Sequence, residues 1–174
     1  VERQGEIAFL RSSRDHHNLI LEQAEEAGLK RVAYELEKAD QFQGVFDYLT
    51  EQGLNPVELS AKETQALAQG RTLRFKDPYL GVAYEFYVEM MQLGLPYKST
   101  HGLDIECLLH VVYESPHLEE ITDFFVNTLY FKISDFSGRE TNFVWLRAFP
   151  NPWHHTFAVT KGPENKLNHL AYKV

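Results

Sequence analysis

The sequence lacks most of the features that mark secreted, membrane-spanning or nucleic-acid-binding proteins. Its 174 residues contain a single cysteine, Cys107, so no disulfide can form within the chain. No apolar run approaches the roughly 20 residues that a membrane-spanning helix needs. The net charge is −8, and the Lys and Arg residues form no cluster that could follow a phosphate backbone. We therefore expect neither a membrane nor a nucleic-acid partner.

Several catalytic motifs are missing too. There is no glycine-rich phosphate loop, no GxSxG nucleophile motif and no paired-cysteine zinc motif. Cys107 lies three residues before His110 on one predicted strand, and a small buried residue is the favoured interpretation of it. The opening residues, VERQGEIAFL, carry acidic side chains where a signal peptide has a basic and then an apolar segment. Together with the single cysteine, this predicts a cytoplasmic location.

The sequence has enough apolar residues for a hydrophobic core, with 44% hydrophobic and 13% aromatic residues distributed over short stretches. The first half predicts strands in EIAFLRSS, HHNLILEQ, KRVAYELE, RTLRFKDP and GVAYEFYVEMM. Between the third and fourth of these, ADQFQGVFDYLTEQG has helical spacing and ends near Gly53. A turn at Asp77-Pro78 separates the last two strands. The stretch AKETQALAQG remains ambiguous.

The second half repeats this order. DIECLLHVVYES predicts a strand and HLEEITDFFVNTLY an amphipathic helix, and the strands FKISDFSG, TNFVWLRAF and HHTFAVTK follow. The repeating unit is therefore a strand, a helix and three strands, which predicts an α+β fold built from βαβββ modules.

An internal repeat supports the duplication. Residues 16–36, HHNLILEQAEEAGLKRVAYEL, align without a gap with residues 154–174, HHTFAVTKGPENKLNHLAYKV. The two copies share a double histidine at the start and an Ala-Tyr pair near the end. The repeat predicts two partial domains. Residues 1–95 would hold the end of module 1 and all of module 2, and residues 103–174 would hold module 3 and the first strand of module 4. The sequence thus reads as the middle of a four-module protein.

Two histidines lie at corresponding places in successive modules. His110 is on the first strand of one module and His169 on the first strand of the next, so they can face each other across a shared cleft. Neutral imidazole binds divalent iron, manganese, zinc or nickel, and a carboxylate is the expected third ligand. The alternative is that each is a hydrogen-bonded core residue. Arg31 stands at the place of His169 in the other copy, which favours a ligand lost from a duplicated site.

Two further positions have open interpretations. His154 and His155 are predicted to begin a strand, so one points inward and could be an acid/base. The residues alone favour the other interpretation, in which both are strand-end residues that the repeats share. Glu85, on the last strand of module 2, marks where a carboxylate ligand would stand in module 4. Glu85 itself is expected to face a decayed site or solvent.

The stretches HVVYESPHLEEITDFFVNTLYFKISD and HHTFAVTKGPENKLNHLAYKV resemble the type I extradiol ring-cleavage dioxygenases of the vicinal oxygen chelate superfamily, also called the glyoxalase/bleomycin-resistance superfamily. The resemblance implies four βαβββ modules, curved mixed β-sheets with helices outside, and a metal in the C-terminal domain. It implies cleavage of a catecholic ring beside its diol with O₂. Non-catalytic ligand binding, as in bleomycin-resistance proteins, and glyoxalase-like chemistry are the alternatives within the same fold.

The resemblance also implies roles for five residues. His110 and His169 would be ligands of Fe(II), with Mn(II) possible, and His155 would be the acid/base. Trp145 and Val112 would line the substrate pocket. The third ligand, a glutamate on the last strand of module 4, would lie beyond Val174. A catecholic small molecule and O₂ are the implied partners, and exposed sheet edges predict a homo-oligomer.

Overall fold

The chain divides into two compact units, residues 1–104 and 105–174. The computed structural model describes residues 2–95, 97–99, 102, 105–138 and 142–174. Leu103 and Asp104, where the second domain was predicted to begin, lie outside the described residues. Within the described part of the chain, no helix is both long enough and apolar enough to cross a membrane.

The first unit contains two sheets. Strands β1 (Glu2–Gln4), β2 (Ile7–Leu10) and β3 (Leu19–Glu22) form an antiparallel sheet in that order. The second sheet has the order β4-β7-β6-β5, with the bounds β4 (Arg31–Glu35), β5 (Val57–Glu58), β6 (Thr72–Lys76) and β7 (Ala83–Tyr87). The strands that come first and last along the chain, β4 and β7, are neighbours in this sheet and pair in parallel.

Two helices lie between β4 and β6 along the chain, one before β5 and one after it. Helix α1 (Phe42–Glu51) follows a short 3₁₀ turn and buries Phe42 and Leu49. It ends as predicted, because Gly53 has the positive φ of +74° that closes many helices. The ambiguous stretch AKETQALAQG forms helix α2 (Ala61–Ala66). Its start is fixed by a reciprocal cap, in which Ser60 Oγ accepts from the Glu63 N–H and the Glu63 carboxylate accepts from the Ser60 N–H.

The second unit contains one five-stranded sheet with the order β12-β8-β11-β10-β9. The bounds are β8 (Cys107–Ser115), β9 (Lys132–Ser137), β10 (Phe143–Arg147), β11 (Phe157–Lys161) and β12 (Lys166–Lys173). Strands β8 and β11 are parallel, and the other pairs are antiparallel. The order β8-β11-β10-β9 repeats the order β4-β7-β6-β5. The predicted α+β fold of repeated βαβββ modules is therefore confirmed.

The helix of the second unit departs from its predicted form. The sequence predicts one amphipathic helix over residues 117–130, but helix α3 (Leu118–Asp123) continues as a π-helical turn, Phe124–Thr128. The Leu129 N–H donates to the Phe124 carbonyl, one residue further back than in an α-helix. The adjacent Phe124 and Phe125 are both buried, and the wider turn lets both point into the core.

The five-stranded sheet has two unlike faces. One face packs against the helix, and its central contact is a stack of Phe125 on Phe157, with ring centroids 4.2 Å apart and both residues fully buried. The residues that alternate with these on the strands point to the opposite face. That opposite face carries His110, Val112 and Trp145.

Replacing Phe125 by Ala should lower the free energy of unfolding of the second unit by about 3–4 kcal/mol, because it removes half of the central stack and leaves a cavity. The measurement is urea unfolding followed by tryptophan fluorescence, since both tryptophans belong to this unit. The matched control is Phe136→Ala, which truncates a ring that is 61% exposed and should cost less than about 1 kcal/mol. Equal costs for the two variants would contradict the assignment of this core.

Candidate functional site

A row of residues crosses the second unit on the face away from the helix. Trp145 pairs with Ala158, Ala158 with Val112, and Val112 with His169, each on a neighbouring strand. Directly paired residues share a face of a sheet, so all four point the same way. His110 lies two residues before Val112 on β8 and therefore joins them. The sheet register thus gathers four of the predicted site residues on one surface.

The two predicted metal ligands meet at their Nε2 atoms, which are 3.3 Å apart. Nitrogen atoms that each lie about 2.1 Å from a shared ion, at a bond angle of about 90–110°, are about 3.0–3.4 Å apart. The separation between His110 and His169 therefore fits two ligands of one divalent ion. Because the residues are 59 apart in sequence, this convergence depends on the pairing of β12 with β8.

A hydrogen bond sets the tautomer of His169. Its Nδ1 lies 2.8 Å from the Asn168 side-chain oxygen, which can only accept, so Nδ1 carries the hydrogen and Nε2 keeps its lone pair. A bulge between Leu167 and His169 places Asn168 as an extra residue in β12. Sequence reasoning missed Asn168, although an amide beside a candidate ligand is a usable signal.

His110 is held in its neutral form. Burial lowers its pKa below the ordinary histidine value, and the neighbouring His169 lowers it further. Its Nδ1 is buried and has no hydrogen-bond partner among the described residues. A neutral imidazole with its Nε2 aimed at a second imidazole is suited to metal ligation.

His155 lies beside the pair, although not on a strand as predicted. Strand β11 begins at Phe157, and the double histidine belongs to the connection that precedes it. Pro150 and Pro152 stand in that connection and have no N–H to donate to a sheet. The His155 ring centroid is 4.2 Å from that of His110. Burial, followed by the charges of nearby histidines, lowers the pKa of His155 to about 4.

The two predicted pocket residues take different positions. Trp145 is half-buried, and its ring centroid is 6.4 Å from that of His155, so it forms a wall beside the histidines. Val112 is only 1% exposed and lies in the floor of the site. A direct substrate contact by either residue stays a prediction. Cys107 is half-buried rather than buried.

No complete ligand set is found. Among the described residues, no group of three or more His, Cys, Asp or Glu side chains is arranged to hold a metal ion. The donor chemistry of His110 and His169 therefore fits two of the three ligands in a site with two histidines and one carboxylate.

The manganese-dependent 2,3-dihydroxybiphenyl 1,2-dioxygenase of Geobacillus genomosp. 3 is 25% identical to this chain over 191 residues, which covers 99% of the chain and 59% of that enzyme. The crystal structure of BphC, a halotolerant catechol dioxygenase, matches 100% of this chain and 60% of its own with a TM-score of 0.85 and 16% identity. The chain is therefore similar to extradiol dioxygenases in sequence and in fold. Its fold is the vicinal oxygen chelate fold, as the resemblance implied.

The same fold serves other chemistry. The Mn(II)-bound glyoxalase from Novosphingobium aromaticivorans matches 99% of this chain and 56% of its own with a TM-score of 0.79 and 24% identity. No protein-family model matches the sequence. The chain spans about 60% of the length of these three proteins.

The first unit shows how the same face looks with other residues. The strand that corresponds to β8 is β4, which reads RVAYE from Arg31, where β8 reads HVVYE from His110 and β12 reads HLAYK from His169. By sheet register, Glu85 stands where Ala158 stands in the second unit, because the two pair with equivalent residues. An arginine and a glutamate therefore occupy places that carry a histidine and an alanine in the second unit.

Glu85 in the first unit is ion-paired rather than solvated. It is 1% exposed, Arg74 donates to its carboxylate from Nε at 2.9 Å, and Arg31 lies 3.8 Å away. From the sequence, Glu85 is expected to face a decayed site or solvent. The solvent alternative is wrong, because the sheet buries Glu85 and two guanidinium groups neutralise it, one of them from Arg31 at the place of His169. In this unit arginine supplies the positive charge that a metal ion would supply to a carboxylate ligand.

Replacing Arg74 by Met should lower the free energy of unfolding of the first unit by about 3 kcal/mol, because it leaves the buried Glu85 carboxylate without its closest partner. Hydrogen exchange of the β7 amides measures this change. Lys30→Met is the matched control, since the Lys30–Glu22 ion pair is exposed and is worth less than about 1 kcal/mol. Similar exchange rates in the two variants would contradict the role given to Arg74.

Proposed function

We propose that the whole protein is a metal-dependent extradiol dioxygenase that cleaves a catecholic ring with O₂. The observation that carries the proposal is the convergence of His110 and His169 at 3.3 Å with His155 beside them. The 25% identity to a manganese-dependent dihydroxybiphenyl dioxygenase supports it. A cytoplasmic location and a homo-oligomer stay predictions of the sequence.

His110 and His169 would hold the metal through Nε2. The resemblance implies Fe(II), and the similarity to a manganese-dependent enzyme supports Mn(II) equally. When bound, such a metal supplies open coordination positions and electron transfer between the aromatic ring and O₂. The third ligand, predicted as a glutamate beyond Val174, stays a prediction.

The remaining side chains would bind substrate and move a proton. His155, with its ring against His110, can accept a proton from a catechol hydroxyl and return it to the ring-opened product. Trp145 presents an aromatic wall against which a catechol ring can pack. Val112 and Ala158 are almost fully buried and provide an apolar floor that keeps water away from the histidines.

A glyoxalase-like activity is the second candidate, and the shared fold of the Mn(II)-bound glyoxalase favours it. The two candidates differ in their use of O₂. An extradiol enzyme incorporates both atoms of O₂ into the opened ring, whereas a glyoxalase-like isomerase consumes none.

Ring cleavage tests the proposal. The whole protein, loaded with Fe(II) or with Mn(II), should convert one or more of a panel of catechols, including 2,3-dihydroxybiphenyl, to a yellow ring-opened product. One O₂ should disappear per product formed, as measured with an oxygen electrode. If no catechol yields product with either metal, the dioxygenase proposal fails, and isomerisation without O₂ uptake would favour the glyoxalase-like alternative.

Metal binding gives a second prediction. Replacing His169 by Ala should weaken binding of Mn²⁺ to the chain at least about 100-fold, as followed by calorimetry, because half of the histidine pair is lost. His117→Ala is the matched control, since His117 is an exposed histidine on the helix side of the same unit. Circular dichroism should show an unchanged fold in both. Unfolding of the His169→Ala variant would instead mark His169 as a structural residue.

A further inference from the structure

His154 contacts His155 in an unusual way. Their Nδ1 atoms lie 2.9 Å apart, which is a hydrogen-bond distance between two ring nitrogens. Each ring nitrogen of a neutral imidazole either carries a hydrogen or has a lone pair. One of the two Nδ1 atoms must therefore carry the hydrogen, and the other must accept it. Among the described residues, His154 is the one hydrogen-bond partner of His155.

The first unit contains the same arrangement. The Nδ1 atoms of His16 and His17 are 3.1 Å apart. The centroid of each ring lies 5.1 Å from the centroid of the Phe9 ring. In the second unit, the Trp145 ring centroid lies 6.5 Å from that of His154 and 6.4 Å from that of His155. The duplicated backbone thus builds an aromatic ring and a hydrogen-bonded histidine pair twice.

In the first unit a carboxylate anchors the outer histidine. The His16 Nε2 is 3.0 Å from the Glu2 carboxylate, which accepts a hydrogen from it. The His16 tautomer that carries its one hydrogen on Nε2 has a bare Nδ1, and with that tautomer the His17 Nδ1–H donates to His16 and the His17 Nε2 keeps its lone pair. His17 corresponds to His155 in the repeat. The tautomer of the outer histidine therefore determines which nitrogen of the inner histidine is free to react.

Register extends the correspondence to an acidic residue. Glu2 pairs with Phe9 across β1 and β2, and Asp135 pairs with Trp145 across β9 and β10. Phe9 and Trp145 are themselves equivalent, because they pair with Ile20 and Ala158, which the repeat aligns. A carboxylate thus stands at the same strand position in each unit.

We propose that His154 is a positioning residue that orients the His155 ring and selects its tautomer, so that His155 presents a bare Nε2 to the site. One part of this proposal rests on the proposed function, namely that the His155 Nε2 receives the substrate proton. His154 is exposed and His155 half-buried, so the outer ring meets solvent while the inner ring faces His110. His154 itself is not in the row of site residues on the sheet.

The tautomer can be read directly in the 174-residue chain. Histidine-labelled protein at pH 7.5, studied by long-range ¹H–¹⁵N correlation, should show His155 with a protonated Nδ1 and a bare Nε2. His154→Ala should shift His155 toward the Nε2–H form and leave the His110 and His169 signals in place. His154→Asn should restore the original form, because the amide oxygen can accept from Nδ1. His16→Ala, the matched control in the first unit, should not affect His155.

Turnover in the whole, metal-loaded protein provides the second measurement. His154→Ala should lower kcat roughly tenfold to a hundredfold with little change in KM or metal content, and His154→Asn should recover most of the rate. An unchanged His155 tautomer in His154→Ala, or a loss in kcat that His154→Asn does not repair, would overturn the proposal. If the wild-type protein cleaves no catechol, the proposed function fails, while the tautomer measurement still decides the role of His154.

Discussion

The antiparallel pairing of β12 with β8 is the constraint on which the candidate site depends. It places His169 opposite Val112 and brings its Nε2 to within 3.3 Å of the Nε2 of His110, 59 residues earlier. A slip of one residue would turn His169 to the helix-covered face, where Phe125 and Phe157 form the core. The bulge beside His169 sets the register and also supplies Asn168, which hydrogen-bonds the ring of this predicted ligand. Sheet pairing and the proposed metal site are thus coupled through one strand.

Much of this could be predicted from the sequence, because strand alternation and the internal repeat are local patterns. They locate His110 and His169 on first strands of successive modules and predict the βαβββ order. Other features arise from tertiary packing and have no periodic signal. The π-helical turn follows from burying Phe124 and Phe125 side by side, and β11 begins only at Phe157, after the double histidine. The bulge at Asn168 and the ion pairs of Glu85 depend on strand register, which a single sequence does not reveal.

The two units show one scaffold with two electrostatic solutions. In the first, Arg74 and Arg31 neutralise the buried Glu85, and the face is closed by fixed cations. In the second, the imidazoles of His110 and His169 stand on β8 and β12, and the position equivalent to Glu85 holds the small Ala158. Burial lowers the pKa values of His110 and His155, which favours their neutral forms. A divalent ion would supply the positive charge that the second unit lacks.

The most direct test of this account locates a paramagnetic ion on the chain. Substoichiometric Mn²⁺ should broaden the imidazole signals of His110 and His169 first, followed by those of His155, in ¹⁵N-histidine spectra of the 174-residue chain. The signals of His16, His17 and His117 should stay sharp at the same Mn²⁺ concentration. Broadening that begins at those other histidines, while His110 and His169 remain sharp, would contradict a metal site on the paired strands β8 and β12.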